Sequence, residues 1–207
     1  DPTRLVDSAA TVYGDLLDSL YGRLTPTEAA RVNVLEDGDE LVVGPGRVLT
    51  TIDSPGHAKH HLGLHDSLSG LLFVGDAVGV RLPDAGILRP ATPPPDFDLD
   101  QALTSIAKFA SRRPTGIALA HYGLVPEAEA VLDEAAEILT RWAEVAEAAW
   151  QQGEDIAEAL DTAFGGDLDG VDPVHKQKLE TLNGIHSNAA GFRRWLDKRA
   201  DTHGHHH

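Results

Sequence analysis

The stretch 51-TIDSPGHAKHHLGLHDSLSGLLFVGDAVGV-80 decides how this chain is read. A β-rich run, Val48–Ile52, stops at Ser54-Pro55-Gly56, a turn that delivers His57. A strand over His61–His65 and a turn over Asp66–Gly70 follow, and then Leu71–Val74, an apolar run short enough for a buried strand. That run closes on Gly75-Asp76. Two strands therefore each hand a side chain capable of binding metal to the loop that follows, and strand ends are where a rigid scaffold displays functional groups.

Upstream, Asp37-Gly38 is a hairpin signal, Asn33–Glu36 and Leu41–Val43 read as strands, and Gly44-Pro45-Gly46 separates the latter from the next run. A helix is expected over Leu5–Tyr21. Downstream, "VRLPDAGILRPATPPPDFDLD" is too rich in proline for a helix and reads as a long ordered loop. Asp98 or Asp100 caps a helix over Leu99–Ser111. "TGIALAHYG" is a short buried strand that ends in His121, and Leu132, Ala135, Ala136, Leu139 and Trp142 form one stripe of a long helix over Glu127–Gln151. Further helices follow Gly153. Leu179, Leu182, Ile185, Phe192, Trp195 and Leu196 supply the face that packs on the domain or in a homodimer. Strands first, then alternating strands and helices, then helices, describe a layered mixed α/β domain with a helical extension. The expected divisions are 1–152 for the domain, 153–200 for the extension, and a disordered or tag-like tail over 201–207. His203, His205, His206 and His207 in that tail are set aside from the site.

Composition narrows the chemistry. Asp and Glu number 33 against 17 Lys and Arg, and the net charge of −16 argues against nucleic acid or an anionic membrane surface as a partner. There is no cysteine, so any metal must be held by imidazole and carboxylate, a set that suits zinc, iron or manganese. No signal peptide and no run long enough to span a bilayer is visible, which makes a cytoplasmic protein the expectation. Methionine is absent, and the opening "DPTRLVDSAATVYG" reads as the interior of a longer gene product.

His57, Asp76 and His121 stand apart from the scaffold. Each alone has a simpler reading: a turn histidine bonded to backbone, a turn or cap aspartate, a packed core imidazole. Together, two imidazoles and a carboxylate at strand ends make a divalent-metal ligand set. The ordered blocks "SPGHAKHHLGL", "GLLFVGDAVG" and "IALAHYG" resemble the second half of the metallo-beta-lactamase superfamily over roughly residues 31–150. The resemblance implies an αβ/βα sandwich, represented by its C-terminal half plus additional helices. It also implies a metal-dependent hydrolase with two divalent ions, zinc first and iron or manganese fitting the same ligands. In that pattern His57 and His121 are terminal ligands, Asp76 is the catalytic bridge between the ions, and an activated water or hydroxide attacks an ester, lactone, thioester or phosphodiester substrate. The "RPATPPPD" segment after the Gly-Asp strand points to a subfamily of unassigned substrate rather than to a true β-lactamase.

One departure matters. The family's first ligand motif, His-x-His-x-Asp-His, is absent from these 207 residues. Three explanations compete: the chain is part of a longer protein, a separate polypeptide carries the first half, or the site is a metal-free relic. His61 and Tyr122 are expected to support the ligands, Tyr122 either by a hydrogen bond to a developing oxyanion or by packing. His60 and His65 read as strand-end residues, while Arg81 and Arg89 are candidates to hold an anionic substrate group. The rivals to hydrolysis are a di-iron redox enzyme of the same fold acting on oxygen or nitric oxide, and a metal-free interaction module.

Overall fold

The computed structural model describes residues 3, 6, 7, 10, 14–22, 25–82, 85–121 and 123–204. The chain divides into two compact units, Asp1–Leu35 and Glu36–His207. In the first, 3₁₀ turns at Gly14–Leu16 and Ala29–Arg31 lie either side of a short helix, α1 (Leu17–Tyr21). Leu5, where that helix was expected to begin, lies outside the described residues.

The second unit holds β1 (Glu40–Gly44), β2 (Arg47–Asp53), β3 (Leu62–Asp66), β4 (Leu71–Gly75), β5 (Val80–Leu82), β6 (Ile87–Arg89), β7 (Gly116–Leu119) and β8 (Gly123–Val125). Its helices are α2 (Leu99–Ser111), α3 (Ala128–Gln152), α4 (Ile156–Phe164), α5 (Pro173–Asn183) and α6 (Ile185–Gly204). Six strands form one sheet in the order β1-β2-β3-β4-β7-β8, and β5 with β6 forms a separate pair. Neighbours are antiparallel except β4 and β7, which are parallel and joined through α2. It follows that β2, β4 and β7 all run the same way, with their C-terminal ends on one edge of the sheet.

One sheet face is packed under helices. Ile52, Leu72, Val74, Ile117 and Leu119 share a continuous core with Ala102, Ile106 and Phe109 of α2 and with Val131, Leu132 and Leu139 of α3. The spacing of Ala102, Ser105, Ile106 and Phe109 is that of a helix with one buried stripe. A Cβ at Gly63 would sit 2.5 Å from the Phe109 ring, so glycine lets α2 lie close on β3. The opposite face carries a row across four strands, Leu64, Phe73, Ala118 and Leu124. Phe73 is 38% exposed and Leu124 59%.

Of the C-terminal helices, α4 and α6 belong to the same core. Trp142 stacks on Phe164 at 5.0 Å, and Phe97 meets Phe192 edge-on at 5.1 Å. α6 runs to Gly204, past the boundary at 200 drawn from the sequence. Two further differences have physical causes. The proline-rich segment forms β5 and β6 because Val80 and Leu82 are buried against Leu168 and Leu179, contacts made more than 80 residues away that local proline content does not reveal. Asn33–Glu36 forms no strand, although Gly38 donates its backbone N–H to the Thr51 carbonyl. Asp98 caps α2 as expected, accepting from the Gln101 N–H at 3.0 Å.

Candidate metal centre

Because β2, β4 and β7 run in parallel directions, the residues just beyond them converge on one edge: His57 after Asp53, Asp76 after Gly75, His121 after Leu119. Asp76 and His121 leave adjacent parallel strands, and Asp76 Oδ1 lies 3.4 Å from His121 Nε2. Each is about one-third exposed, 32% and 38% respectively. The pair is open to a ligand rather than sealed in the core.

The turn that carries His57 is held from several directions. Ser54 is fully buried, its N–H donating to the His61 carbonyl at 3.0 Å. Ser105 of α2 donates its hydroxyl to the Pro55 carbonyl at 2.6 Å, and Lys108 donates to the Asp53 carbonyl at 2.9 Å. Gly56 takes a φ of +133°, a conformation that favours glycine, and a Cβ there would overlap the Ala102 backbone. The chain reverses directly on the first turn of α2. The His57 ring then meets the Ala91 carbonyl, with Nδ1 at 2.9 Å. A carbonyl only accepts, so Nδ1 is the protonated nitrogen, and in the neutral ring Nε2 keeps its lone pair. That is the orientation a metal-binding imidazole needs.

His61 supports this arrangement. Its Nδ1 is 2.7 Å from Ser54 Oγ, and its ring lies edge-on to His57 with centroids 5.9 Å apart. The other end of the ring rests on Gly75, where a Cβ would overlap Nε2, so the glycine before Asp76 makes room for this imidazole. Burial, with the His57 ring next in weight, holds the His61 pKa below the usual histidine value. His61 thus links the turn of His57 to the strand end of Asp76.

The remaining candidates separate. His60 is exposed, and His65 is half-buried on β3, opposite Thr50. Tyr122 lies outside the described residues. Arg81 is half-buried, and its Nε has no hydrogen-bond partner among the described residues. Arg89, expected as a candidate substrate ligand, lies inside the fold. It is 3% exposed, donates to Glu180 Oε1 at 2.5 Å and the Asn183 carbonyl at 3.1 Å, and lies over the Trp142 ring. Its guanidinium is committed to the interior. Ser54, Ser105, Thr92, Asn183 and Asn188 were not foreseen; the one local signal for Ser105 was a hydroxyl placed inside an apolar helical stripe.

As donors, an imidazole whose Nδ1 is held by a carbonyl and an aspartate beside a second histidine fit a divalent ion. Closure is another matter. Among the described residues, no group of three His, Asp or Glu side chains could hold a metal ion.

A mixed sheet covered by helices on one face, with imidazoles and a carboxylate gathered at the C-terminal strand edge, defines a layered α/β scaffold built around that edge. The sequence pattern of the metallo-beta-lactamase superfamily matches residues 4–121, more than half of the chain, and the chain belongs to that superfamily. It is 31% identical over 122 residues to the metallo-beta-lactamase fold-containing protein ST1585 of Sulfurisphaera tokodaii, a match covering 59% of this chain and 44% of that protein. The crystal structure of ST1585, described as an archaeal superfamily protein from Sulfolobus tokodaii, superposes with a TM-score of 0.64 at 24% identity, over 92% of this chain and 63% of that one. The metallo-beta-lactamase family protein TTHA1429 from Thermus thermophilus gives a TM-score of 0.53 at 18% identity, over 95% and 62%. These two likenesses concern the fold. The chain spans less than two-thirds of the length of each of these relatives. Among the described residues, no helix is long and apolar enough to cross a membrane.

Proposed function

We propose that this chain supplies one side of a metal-dependent hydrolase site, with His57, Asp76 and His121 as its ligands. The observation that carries the reading is the pair of adjacent parallel strands that bring Asp76 Oδ1 and His121 Nε2 to 3.4 Å, on the same edge as His57. Asp76 is the residue suited to bridge two ions, having two carboxylate oxygens where each histidine has one free nitrogen. His57 presents Nε2 because Ala91 holds its other nitrogen, and His61 buttresses both from the Gly75 side. A divalent ion bound there, zinc by preference, supplies Lewis acidity that lowers the pKa of a coordinated water from about 15.7 toward about 7. The substrate is a small molecule with an ester, thioester, lactone or phosphodiester bond.

The same reading requires a complementing half that brings further His and Asp ligands, either elsewhere in the same gene product or on a separate chain. Two observations support it: among the described residues the edge does not close into a group of three metal-binding side chains, and Leu64, Phe73, Ala118 and Leu124 form an apolar row on the sheet face away from α2 and α3. The test is metal analysis and hydrolysis assays on the completed protein. Zinc together with ester or phosphodiester cleavage, both lost in Asp76→Ala, is the expected outcome. Two irons with an oxidised absorbance band would instead favour redox chemistry. Metal content untouched by His57→Ala and Asp76→Ala would favour a non-catalytic module.

A further inference from the structure

We infer that the C-terminal helices α5 and α6 form a clamp that positions His57, with Asn188 as its central positioning residue; this rests on the reading of His57 as a ligand. The Ala91 carbonyl that orients the His57 ring lies on a strap, residues 89–97, that leaves β6 and returns to α2. The two helices hold polar groups of Arg89, Pro90, Thr92 and Pro95 along that strap. The Thr92 N–H donates to Asn188 Oδ1 at 2.8 Å, and the Thr92 hydroxyl reaches the same oxygen at 2.8 Å and the Asn188 carbonyl at 3.2 Å. Asn183 donates its amide to the carbonyls of Pro90, at 2.8 Å, and Arg89, at 3.2 Å. Asn188 donates in turn to Asn183 Oδ1 at 2.8 Å, so the two amides act as one unit that brackets Ala91 from both sides.

These groups are deeply buried: Thr92 is 1% exposed, Asn188 1% and Asn183 5%. A buried amide is tolerated only when its hydrogen bonds are satisfied, and here the strap, the partner amide and the Gly184 carbonyl satisfy them. Gly191 adds a steric condition. A Cβ there would overlap the Thr92 carbonyl oxygen, so α6 lies with its bare backbone against the strap. Farther along, Phe97 is wedged against Phe192 and Trp195, and Lys198 donates to the Pro95 carbonyl at 2.6 Å. The helices thus fix the height of the Ala91 oxygen and, through it, which nitrogen of His57 carries the proton. They need not touch the ligand edge to do so.

The test reads the tautomer of His57 directly, by two-bond ¹H–¹⁵N correlation spectra of the metal-free chain at a pH well above the ordinary histidine value of about 6.5, with His57→Gln to assign the signal. The native chain is expected to show a single Nδ1–H tautomer. Thr92→Val, which removes only the hydroxyl, and Asn188→Ala, which removes the whole bracket, should lower the Nδ1–H to Nε2–H ratio by about tenfold, the effect of losing roughly one net hydrogen bond. Thr92→Ser should restore it. An unchanged tautomer in both Thr92→Val and a folded Asn188→Ala overturns the inference; if Asn188→Ala does not fold, Thr92→Val against Thr92→Ser decides it alone. Zinc affinity that is insensitive to His57→Ala, with the tautomer still moved by Thr92→Val, would sink the ligand reading and leave the clamp standing.

Discussion

Replacing Gly56 by alanine tests the claim that the His57 turn is built against the backbone of α2. At a φ of +133° an L-residue is strained, at a cost of about 1–3 kcal/mol. The new Cβ would also overlap Ala102 Cα and N and lie 2.6 Å from Ala102 Cβ. Backbone atoms in the first turn of a helix cannot swing aside, and overpacking of this kind costs about 1–3 kcal/mol. The Gly56 carbonyl accepts from the N–H of Asp98, the α2 cap, so a shift of the turn also disturbs that cap. The sum is about 2–6 kcal/mol, a large share of the about 5–15 kcal/mol typical of a folded domain. Urea unfolding followed by circular dichroism should show the midpoint falling by at least about 0.7 M, given a slope of about 1–3 kcal/mol per molar. Adding Ala102→Gly removes the Cβ contact but not the two backbone overlaps, and should recover less than half of the loss. Gly56→Ala within about 0.5 kcal/mol of the native chain, the range of inert surface changes, would refute the reasoning, as would full rescue by Ala102→Gly.

Gly75→Ala should displace the His61 ring from the strand end, because the added Cβ overlaps Nε2 at a φ of +53°; a loss of about 1–3 kcal/mol and a shifted His61 ring signal are expected by urea titration and NMR. Arg89→Ala should behave as a core defect, costing about 1.5–3 kcal/mol for a charged hydrogen bond while leaving KM of the completed enzyme unchanged; a raised KM in a fully stable protein would restore it to the substrate site. Asp66 accepts from Arg47 Nη2 at 2.8 Å, from Arg47 Nε at 3.1 Å and from the Ser69 hydroxyl, which hold its carboxyl well below the usual carboxylate range. With the folded pKa depressed, its contribution is present above the unfolded value of about 3.9 and is lost as pH falls through the folded one. Asp66→Asn should therefore unfold with a shallower dependence on pH below about 5, as followed by thermal melts.

The positions of His57 and Asp76 at one edge of the sheet were largely legible because both sit at the ends of strong local patterns. The apolar run Leu71–Val74 and the Ser-Pro-Gly turn announce a strand end and a reversal whatever lies around them. The common direction of β2, β4 and β7, which turns three separated residues into one edge, is a property of sheet order and needed the fold. Arg89 misled because a cation in a proline-rich segment looks solvent-exposed; its partners, Glu180 and Asn183, lie more than 90 residues away. Asn183 and Asn188 were hidden for a similar reason. In sequence they are ordinary polar positions, and only the packing of the strap against α5 and α6 gives them a task.

We propose that His57, Asp76 and His121 bind metal as one side of a site completed by further ligands. Zinc binding by equilibrium dialysis tests it most directly, on protein with His203, His205, His206 and His207 replaced by serine so that the tail cannot compete. Weak binding is expected of this chain, and tight binding of two ions once the complementing half is present. Loss of at least about tenfold in affinity, a typical floor for disturbing a metal site, is expected from each of His57→Ala, Asp76→Ala and His121→Ala. Zinc bound equally well by the native chain and by the triple variant would contradict the claim.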